Sequence, residues 1–364
     1  MKISYLSIQG VRNLQNVSLD LHERYNFFVG QNGSGKTSLL EAIYLLGTAR
    51  SFRTHLYHKV VHYDQESLTV FGNIQDLENQ NNSQLGIKKQ KDGDTEIKIN
   101  QLPCRQSAIL AQHLPLQLYY PDSFKIIDSA PKIRREIIDW GVFHCNPDYF
   151  KIWMQYQRVL KQRNAWLRER HSSYAMSPWD QLLSNYAEPI HQMRQAYFQA
   201  LLPLFNDVIT SFLGASFNIN LLKLHYFKGW KEDDVHTPLM AFLEADRERD
   251  RKMGYTHHGP HKADLIIQEN NRLIKDIYSR GQQKLVIMAI KLAQGLLLSK
   301  MANRQCVYLL DDINAEFDAV SLSHVMSYLS QMPGQVFFTG LSEAVFDSLR
   351  EQGKMFHVKH GVIS

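Results

Sequence analysis

The segment YNFFVGQNGSGKTSLLEAIYLLG, residues 25–47, places a glycine-rich loop between an apolar strand and a helix. Its centre fits G-x-x-x-x-G-K-[ST] in the strand-loop-helix context that this pattern requires. In such a loop the backbone N–H groups surround a β-phosphate, Lys36 reaches the β- and γ-phosphate oxygens and acts in catalysis, and the Thr37 hydroxyl is placed for Mg²⁺. The segment therefore predicts a site for ATP and Mg²⁺ formed by Gly30, Gln31, Asn32, Gly33, Ser34, Gly35, Lys36 and Thr37.

A second motif is an apolar strand that ends in two carboxylates, VYLLDD at residues 307–312. A buried parallel strand delivers its last side chains to the ligand crevice at the carboxyl edge of a sheet. Asp311 is predicted to hold the magnesium ion, and Asp312 is the candidate catalytic residue that orients or deprotonates the attacking water. The alternative is an ordinary strand followed by an Asp-Asp turn.

A second candidate phosphate site begins at Ser279, in YSRGQQK ahead of the apolar run LVIMAIKLAQGLLL. A helix start offers unpaired backbone N–H groups and the positive end of the helix dipole. The glycine-rich loop already binds one face of a nucleotide. A single subunit therefore has no need of a second phosphate-binding site. Such a site is explained if these residues face the γ-phosphate on another copy, which predicts an ATP-dependent homodimer. The candidates are Ser279, Arg280, Gly281 and Gln282; the alternative is an ordinary helix that Ser279 caps.

The length of 364 residues favours two lobes over one core. Strand-like alternation occupies both ends of the chain, whereas residues 131–205 have helical spacing. Asp92-Gly93 predicts one hairpin, and Glu269-Asn270-Asn271, between ADLIIQ and LIKDIY, predicts a second. We therefore predict an α/β fold with an ATPase lobe from residues 1–124 and 251–364 and an inserted, mainly helical second lobe from 125–250. The start, MKISYLSIQG, lacks a signal peptide's apolar middle, and no apolar stretch of membrane-spanning length is evident. A cytoplasmic protein without a membrane partner is expected.

A basic segment lies in the predicted helical lobe. Of a net charge of +5, residues 151–171 hold an excess of cations over Glu169: Lys151, Arg158, Lys161, Arg163, Arg168 and Arg170. On a helix, four of them share one face: Lys151, Arg158, Lys161 and Arg168. Such a stripe can neutralise DNA phosphates, so DNA is a predicted partner. The alternative is a solvated face on a helix buried by its other side.

These motifs, in this order, resemble the ATP-binding-cassette heads of SMC and Rad50 proteins, and more closely the RecF family of bacterial recombination mediators. The likeness extends over the chain, through GVRNLQ, LLEAIYLLGTARSFRT, YYPDSFKII, PKIRREIIDW, GPHKADL, SRGQQK and LLDD. It implies an ABC-type, Rad50-head-like P-loop ATPase lobe. It assigns Ser279–Gln282 to the signature motif and Asp318 to the D-loop, and by analogy with related heads Arg12 would reach the nucleotide.

The resemblance also implies a function. An ATP-driven homodimer would clamp gapped DNA or junctions of single- and double-stranded DNA, and slow, DNA-stimulated hydrolysis of ATP to ADP and phosphate would release it. With RecR and RecO, the dimer would promote RecA loading, maintenance of replication forks and SOS induction.

One feature departs from related cassette proteins. Cassette transporters end the strand after the paired carboxylates with a switch histidine, whereas GQVFFTG offers Thr339 there. The γ-phosphate sensor is therefore not identified. Two alternatives remain: the ATP-binding subunit of a transporter-type system, which the missing histidine disfavours, and an ATP-gated clamp that needs no turnover.

Overall fold

The computed structural model describes residues 1–76, 81–169, 177–214, 221–231 and 237–364. The chain divides into two compact units. Unit 1 comprises Met1–Ser123, Val208–Ala215 and Arg280–Ser364, and unit 2 comprises Phe124–Asp207 and Ser216–Ser279. The predicted return to the ATPase lobe at residue 251 differs from the structure, in which that return falls at Arg280.

The described strands and helices are numbered in chain order. The strands are β1 (Lys2–Val11), β2 (Leu14–Asp20), β3 (Tyr25–Val29), β4 (Ser67–Asp76), β5 (Asn81–Gln90), β6 (Thr95–Ile99), β7 (Leu102–Cys104), β8 (Leu116–Tyr119), β9 (Leu222–Phe227), β10 (Asp264–Glu269), β11 (Arg272–Leu273), β12 (Val307–Leu310), β13 (Gln335–Gly340), β14 (Gly353–Lys359) and β15 (Val362–Ile363). The helices are α1 (Lys36–Thr48), α2 (Ser107–His113), α3 (Pro131–Cys145), α4 (Tyr149–Arg168), α5 (Ser177–Leu213), α6 (Leu239–Ala245), α7 (Arg247–Met253), α8 (Ile274–Ile277), α9 (Arg280–Ala302), α10 (Ile313–Glu316) and α11 (Ala319–Gln331).

The central sheet of unit 1 has the order β15-β14-β3-β13-β12-β8. The strands from β14 to β8 pair in parallel, and every residue of β3, β8, β12 and β13 is buried. Strands that are buried on both faces have largely apolar sequences such as VYLL. Because the carboxyl ends of parallel strands meet at one edge of the sheet, the segments that follow β3, β12 and β13 are neighbours.

A second sheet in unit 1 is antiparallel, in the order β2-β1-β4-β5-β6-β7. In β4, buried residues alternate with half-buried ones, as expected for a strand with one face on the core. The predicted turn at Asp92-Gly93 is confirmed. Gly93 has a φ of 105°, and the Gln90 N–H donates to the Asp94 carbonyl oxygen at 2.9 Å.

The long apolar helix α9 corrects one expectation. By length and composition it is apolar enough to cross a membrane, contrary to the expectation that the chain has no apolar stretch of that length. Of its most apolar 18 residues, 67% are buried inside the protein, as expected for a helix of the core.

Unit 2 combines helices with a small sheet in the order β11-β10-β9. The predicted hairpin after ADLIIQ is confirmed in part: Asn270 and Asn271 form the turn with φ of 48° and 62°, but the second strand is only Arg272–Leu273 and a helix follows it. Because β10 pairs with β9 over its whole length, residues 264–269 belong with unit 2. This pairing explains why the observed boundary lies later than predicted.

A buried ion network in unit 2 surrounds Arg163. Its guanidinium is 0% exposed and lies 2.7 Å from Asp180 and 2.6 Å from Asp250. Asp180 also lies 3.2 Å from Arg247. Two buried carboxylates neutralise Arg163. The prediction that Arg163 contributes positive charge to the basic segment is therefore wrong. Arg170 lies outside the described residues.

Candidate functional site

The loop between β3 and α1 forms the centre of the candidate site. Gly33 and Gly35 have φ of 77° and 121°, in the region that favours glycine. At Gly30 a Cβ atom would lie 2.2 Å from the carbonyl oxygen of Val358, so any side chain there would collide with backbone. The glycines of the motif are therefore required by the conformation of the loop.

Lys36 and Thr37 occupy the end of this loop. Lys36 is buried, and its Nζ donates hydrogen bonds to the carbonyl oxygens of Gly30 at 2.8 Å and Gln31 at 3.1 Å. Thr37 Oγ1 lies 3.0 Å from both carboxylate oxygens of Asp311, directly after β12. The structure thus brings the predicted residues Lys36, Thr37 and Asp311 into one site.

Asp311 is a buried carboxylate. It is 3% exposed and has no ion-pair partner among the residues that the structure describes. Burial raises its pKa to about 6; the charge of Asp312 acts in the same direction, while hydrogen bonds from Thr339 and Thr37 oppose it. Carboxylate and hydroxyl oxygens are ligands that Mg²⁺ accepts, and a cation would offset the cost of burying this charge. Asp311 and Thr37 therefore fit the predicted magnesium site.

Three buried oxygens in the loop and just after β12 lack a hydrogen-bond partner within the described parts of the chain: Ser34 Oγ, Asp312 Oδ1 and Asn314 Oδ1. Buried polar atoms are nearly always paired, so each unpaired one points to water, an ion or a ligand. These positions are where a triphosphate, its magnesium ion and an attacking water would supply partners. The residues present therefore fit ATP and Mg²⁺.

Thr339, at the end of β13, contacts both carboxylate-bearing residues. Its Oγ1 donates to Asp311 Oδ1 at 2.8 Å and accepts from the backbone N–H of Asp312 at 2.8 Å. The next residue, Gly340, accepts a hydrogen bond from the N–H of Gly30 at 3.2 Å. The end of β13 thus joins the phosphate-binding loop to the carboxylates.

The sequence does not identify two residues that support the loop. Asn13 Nδ2 donates to the carbonyl oxygen of Ser34 at 3.1 Å, and Asn13 Oδ1 accepts from the Ser38 hydroxyl at 3.0 Å. The N–H of Gly361 donates to the same Ser34 oxygen at 2.8 Å. No local pattern marks these residues, because their role depends on turns near opposite ends of the chain meeting at the loop.

Arg12, which the resemblance would bring to the nucleotide, binds a carboxylate of α1. Its Nε and Nη2 each donate to a carboxylate oxygen of Glu41 at 2.9 Å. Glu41 is 0% exposed, accepts a hydrogen bond from Ser51 and lies 3.6 Å from Arg53. Arg12 is therefore a structural partner of Glu41 in this conformation, and its contact with nucleotide stays a prediction.

All four signature residues are exposed: Ser279, Arg280, Gly281 and Gln282. They lie where α9 begins, and the buried residues of that helix start at Gln283. Lys284 Nζ lies 3.0 Å from the carboxylate of Glu316, which fixes the start of α9 beside the segment that follows Asp312. The signature is thus an exposed helix start on a well-anchored helix.

The D-loop candidate Asp318 has a local role. Its carboxylate caps α11, accepting hydrogen bonds from the N–H groups of Val320 at 3.0 Å and Ser321 at 2.9 Å. The Ser321 hydroxyl adds a third bond at 2.8 Å. The backbone bond from Ser321 is the main reason that the pKa of Asp318 is lowered. The structure therefore shows a capping residue, and a nucleotide contact stays a prediction.

Comparison with known sequences identifies the family. A model described as the RecF/RecN/SMC N-terminal domain matches residues 2–364. The DNA replication and repair protein RecF of Stutzerimonas stutzeri is 42% identical over 368 residues, which cover 100% of this chain and 97% of the relative. RecF of Vibrio campbellii is 42% identical over 364 residues, 100% of each chain. The chain belongs to the RecF family.

Solved structures confirm the predicted fold class. A structure described as the recombination mediator protein RecF-ATP in the RecFOR pathway superposes with a TM-score of 0.85 at 24% identity, covering 100% of this chain and 97% of the other. An SMC head bound to the C-terminal winged-helix domain of ScpA superposes with a TM-score of 0.57 at 14% identity, covering 100% of this chain and 96% of the other. The RecF-family chain therefore has the α/β, ABC-type head fold of SMC proteins with an inserted second unit.

Unit 2 of this RecF-family chain presents the predicted basic face on α4. The four cations of the stripe are exposed, and Tyr156, Leu160 and Leu167 on the other side of the helix are buried. An open depression of about 770 Å³ is lined by side chains that include Arg158, Lys161 and Arg168. The face can therefore accept an extended anionic partner.

Two tryptophans of unit 2 pack against aromatic neighbours. Trp153 stacks on Tyr156 with 5.6 Å between ring centroids, and Trp166 lies 5.8 Å from Trp179.

A fall in pH should weaken magnesium binding through Asp311. With a pKa of about 6, its carboxyl is largely ionised at about pH 7.5 and largely protonated at about pH 5. Because Mg²⁺ binds the ionised form, the Mg²⁺ concentration needed to bind a fluorescent ATP analogue should rise about tenfold between these values, beyond the change caused by the nucleotide's own phosphates. Asp311→Asn is the matched control, since residue 311 cannot titrate in it. Equal pH responses in both proteins would contradict the assignment.

Proposed function

We propose that this RecF-family chain is an ATP-dependent DNA-binding protein of DNA replication and repair. Its relatives are described as DNA replication and repair proteins, and a RecF structure of the same fold is described with ATP in the RecFOR pathway. The observation that carries the proposal is the meeting of Lys36, Thr37 and Asp311 at one edge of the sheet. This arrangement is suited to a triphosphate and its magnesium ion.

ATP would bind on the loop at Gly30–Thr37. Lys36, which donates to loop carbonyl oxygens, can donate to the β- and γ-phosphate oxygens in their place. Thr37 and Asp311 would hold Mg²⁺, which would neutralise charge on the phosphates. Asp312 would orient or deprotonate the attacking water, and its buried Oδ1 without a partner among the described residues supports this role.

A second copy of the chain would complete the nucleotide site. The exposed signature at Ser279–Gln282 offers a helix start, and such a start is a general anion site. The signature of one copy would face the γ-phosphate held on the loop of its partner, so that ATP joins the two copies. Asp318, exposed at the start of α11, would lie in the same interface.

DNA would bind the dimer through backbone phosphates. The exposed cations of α4 supply positive charge without a base-specific pattern, which suits sequence-independent binding to DNA phosphates. ATP binding would close the dimer on gapped or junction DNA, and slow hydrolysis would reopen it. With RecR and RecO, this clamp would promote RecA loading, maintenance of replication forks and SOS induction.

The variant Ser279→Arg should bind ATP normally but fail to dimerise. Ser279 is exposed, so the substitution leaves the fold and the phosphate-binding loop intact, while the bulky side chain blocks the approach of a partner's γ-phosphate. Sedimentation with Mg²⁺ and ATP should show dimers for the wild type and monomers for the variant. Ser348→Arg changes an exposed serine of unit 1 that lies outside the signature, and this variant should dimerise as the wild type does. ATP-dependent dimers of Ser279→Arg would reject the proposed site in trans.

The double variant Arg158→Ala, Lys161→Ala should bind DNA more weakly and with a shallower salt dependence. Each phosphate contact contributes about 0.9 to the slope of log affinity against log salt on duplex DNA, so two lost contacts should reduce that slope by about 2. Titrations of a gapped duplex at several salt concentrations measure it. Arg249→Ala, which removes a 63% exposed cation of the same unit, is the control. A slope equal to that of the wild type would exclude this face as the DNA contact.

A further inference from the structure

We propose that Thr339 is a positioning residue for the ATPase reaction: its hydroxyl orients Asp311 toward the magnesium ion and holds the turn that presents Asp312 to the attacking water. This inference deepens the proposed function and rests on it. It explains why a threonine is sufficient at a strand end where cassette transporters have a histidine, since Thr339 acts through the carboxylates and need not touch phosphate.

The chemistry of the hydroxyl leaves one assignment for its hydrogen bonds. The ionised carboxylate of Asp311 can only accept, and the N–H of Asp312 can only donate. Thr339 Oγ1 therefore gives its single proton to Asp311 Oδ1 and receives the N–H of Asp312, both at 2.8 Å. Thr339 is 0% exposed, so bulk water does not compete for these bonds.

The bond to Asp311 removes an ambiguity in the orientation of its carboxylate. Thr37 Oγ1 lies 3.0 Å from both carboxylate oxygens, so it does not distinguish them. Thr339 binds Oδ1 alone, which leaves Oδ2 with fewer hydrogen bonds and available to the metal. Hydrogen bonds that hold a ligating carboxylate in place are the usual support of a metal site.

The bond to Asp312 supports a strained turn. Asp312 has a φ of 46°, in the left-handed region that aspartate adopts less readily than glycine. The turn lies between β12 and α10 and sets the direction of the Asp312 side chain. By accepting the Asp312 N–H, Thr339 holds the turn in that conformation. Its hydroxyl thus controls two residues with different roles, one for the metal and one for the water.

The position of β13 explains why Thr339 can do this. In the central sheet β13 lies between β3, which leads into the phosphate-binding loop, and β12, which leads into the carboxylates. Phe338 is opposite Leu310, so Thr339 falls beside Asp311. Gly340 then bonds to Gly30, so the same strand end also contacts the loop.

Thr339→Val and Thr339→Ser separate this role from simple packing. Valine keeps the shape and removes the hydroxyl, whereas serine keeps the hydroxyl and removes the methyl group. In Thr339→Val, the Mg²⁺ concentration that half-saturates binding of a fluorescent ATP analogue should rise about tenfold or more and kcat should fall, as is typical when a group that orients a metal ligand is lost. Binding of the analogue with EDTA present should not change. Thr339→Ser should restore both the Mg²⁺ midpoint and kcat.

Thr48→Val provides the matched control, since its hydroxyl is bonded to backbone atoms of Tyr44 and Arg50 in the same unit. It should show the wild-type Mg²⁺ midpoint. Thr339→Cys, of similar size but a weak donor, serves as a second loss-of-hydroxyl variant, with the fold of each protein checked by thermal unfolding.

The inference is overturned if Thr339→Val keeps the wild-type Mg²⁺ midpoint and kcat, or if Thr339→Ser is as impaired as Thr339→Val. It is equally overturned if the valine and cysteine variants both fail to fold, because the role is then structural. A wild-type protein that binds the analogue without any dependence on Mg²⁺ would reject the proposed function and this inference with it. A normal wild type beside a normal Thr339→Val would reject the inference alone.

Discussion

The hydrogen bond between Thr37 and Asp311 joins residues 274 positions apart in the chain, and the candidate site depends on it. The contact exists because β3 and β12 are both buried strands of one sheet and end at the same edge, with β13 between them. The long insertion between the two motifs does not disturb this meeting, since each strand is held by its parallel neighbours. The parallel sheet is therefore the constraint that converts two separate motifs into a single site.

The motifs themselves could be predicted from sequence because their chemistry is local. A loop that wraps a phosphate needs glycines at set positions, and a strand that carries a metal ligand needs an apolar body with a carboxylate at its end. The strand-loop-helix around Lys36, the hairpin at Asp92-Gly93 and the exposed side of α4 follow from short-range pattern alone.

The supporting residues could not be predicted because their roles arise from tertiary contacts. Asn13 and Gly361 meet the phosphate-binding loop only when turns near both ends of the chain lie beside it. Arg163 has the sequence context of a surface cation, yet Asp180 and Asp250 enclose it from other helices. The unit boundary at Arg280 likewise depends on the pairing of β10 with β9. The family resemblance predicts that Arg12 reaches the nucleotide, but in the structure its guanidinium donates hydrogen bonds to the buried carboxylate of Glu41.

Each copy would present two halves of different nucleotide sites: a loop with unpaired buried oxygens and an exposed helix start. A mixture of two variants tests whether each nucleotide site is shared between two copies. Lys36→Ala cannot bind ATP on its loop, and Ser279→Arg cannot contact the ATP of a partner through its signature. A heterodimer of the two would contain one intact site, made from the loop of the second variant and the signature of the first. Sedimentation with Mg²⁺ and ATP should show dimers in the mixture, with one ATP per dimer, although each variant alone stays monomeric. A mixture that stays as monomeric as its components would contradict the shared site.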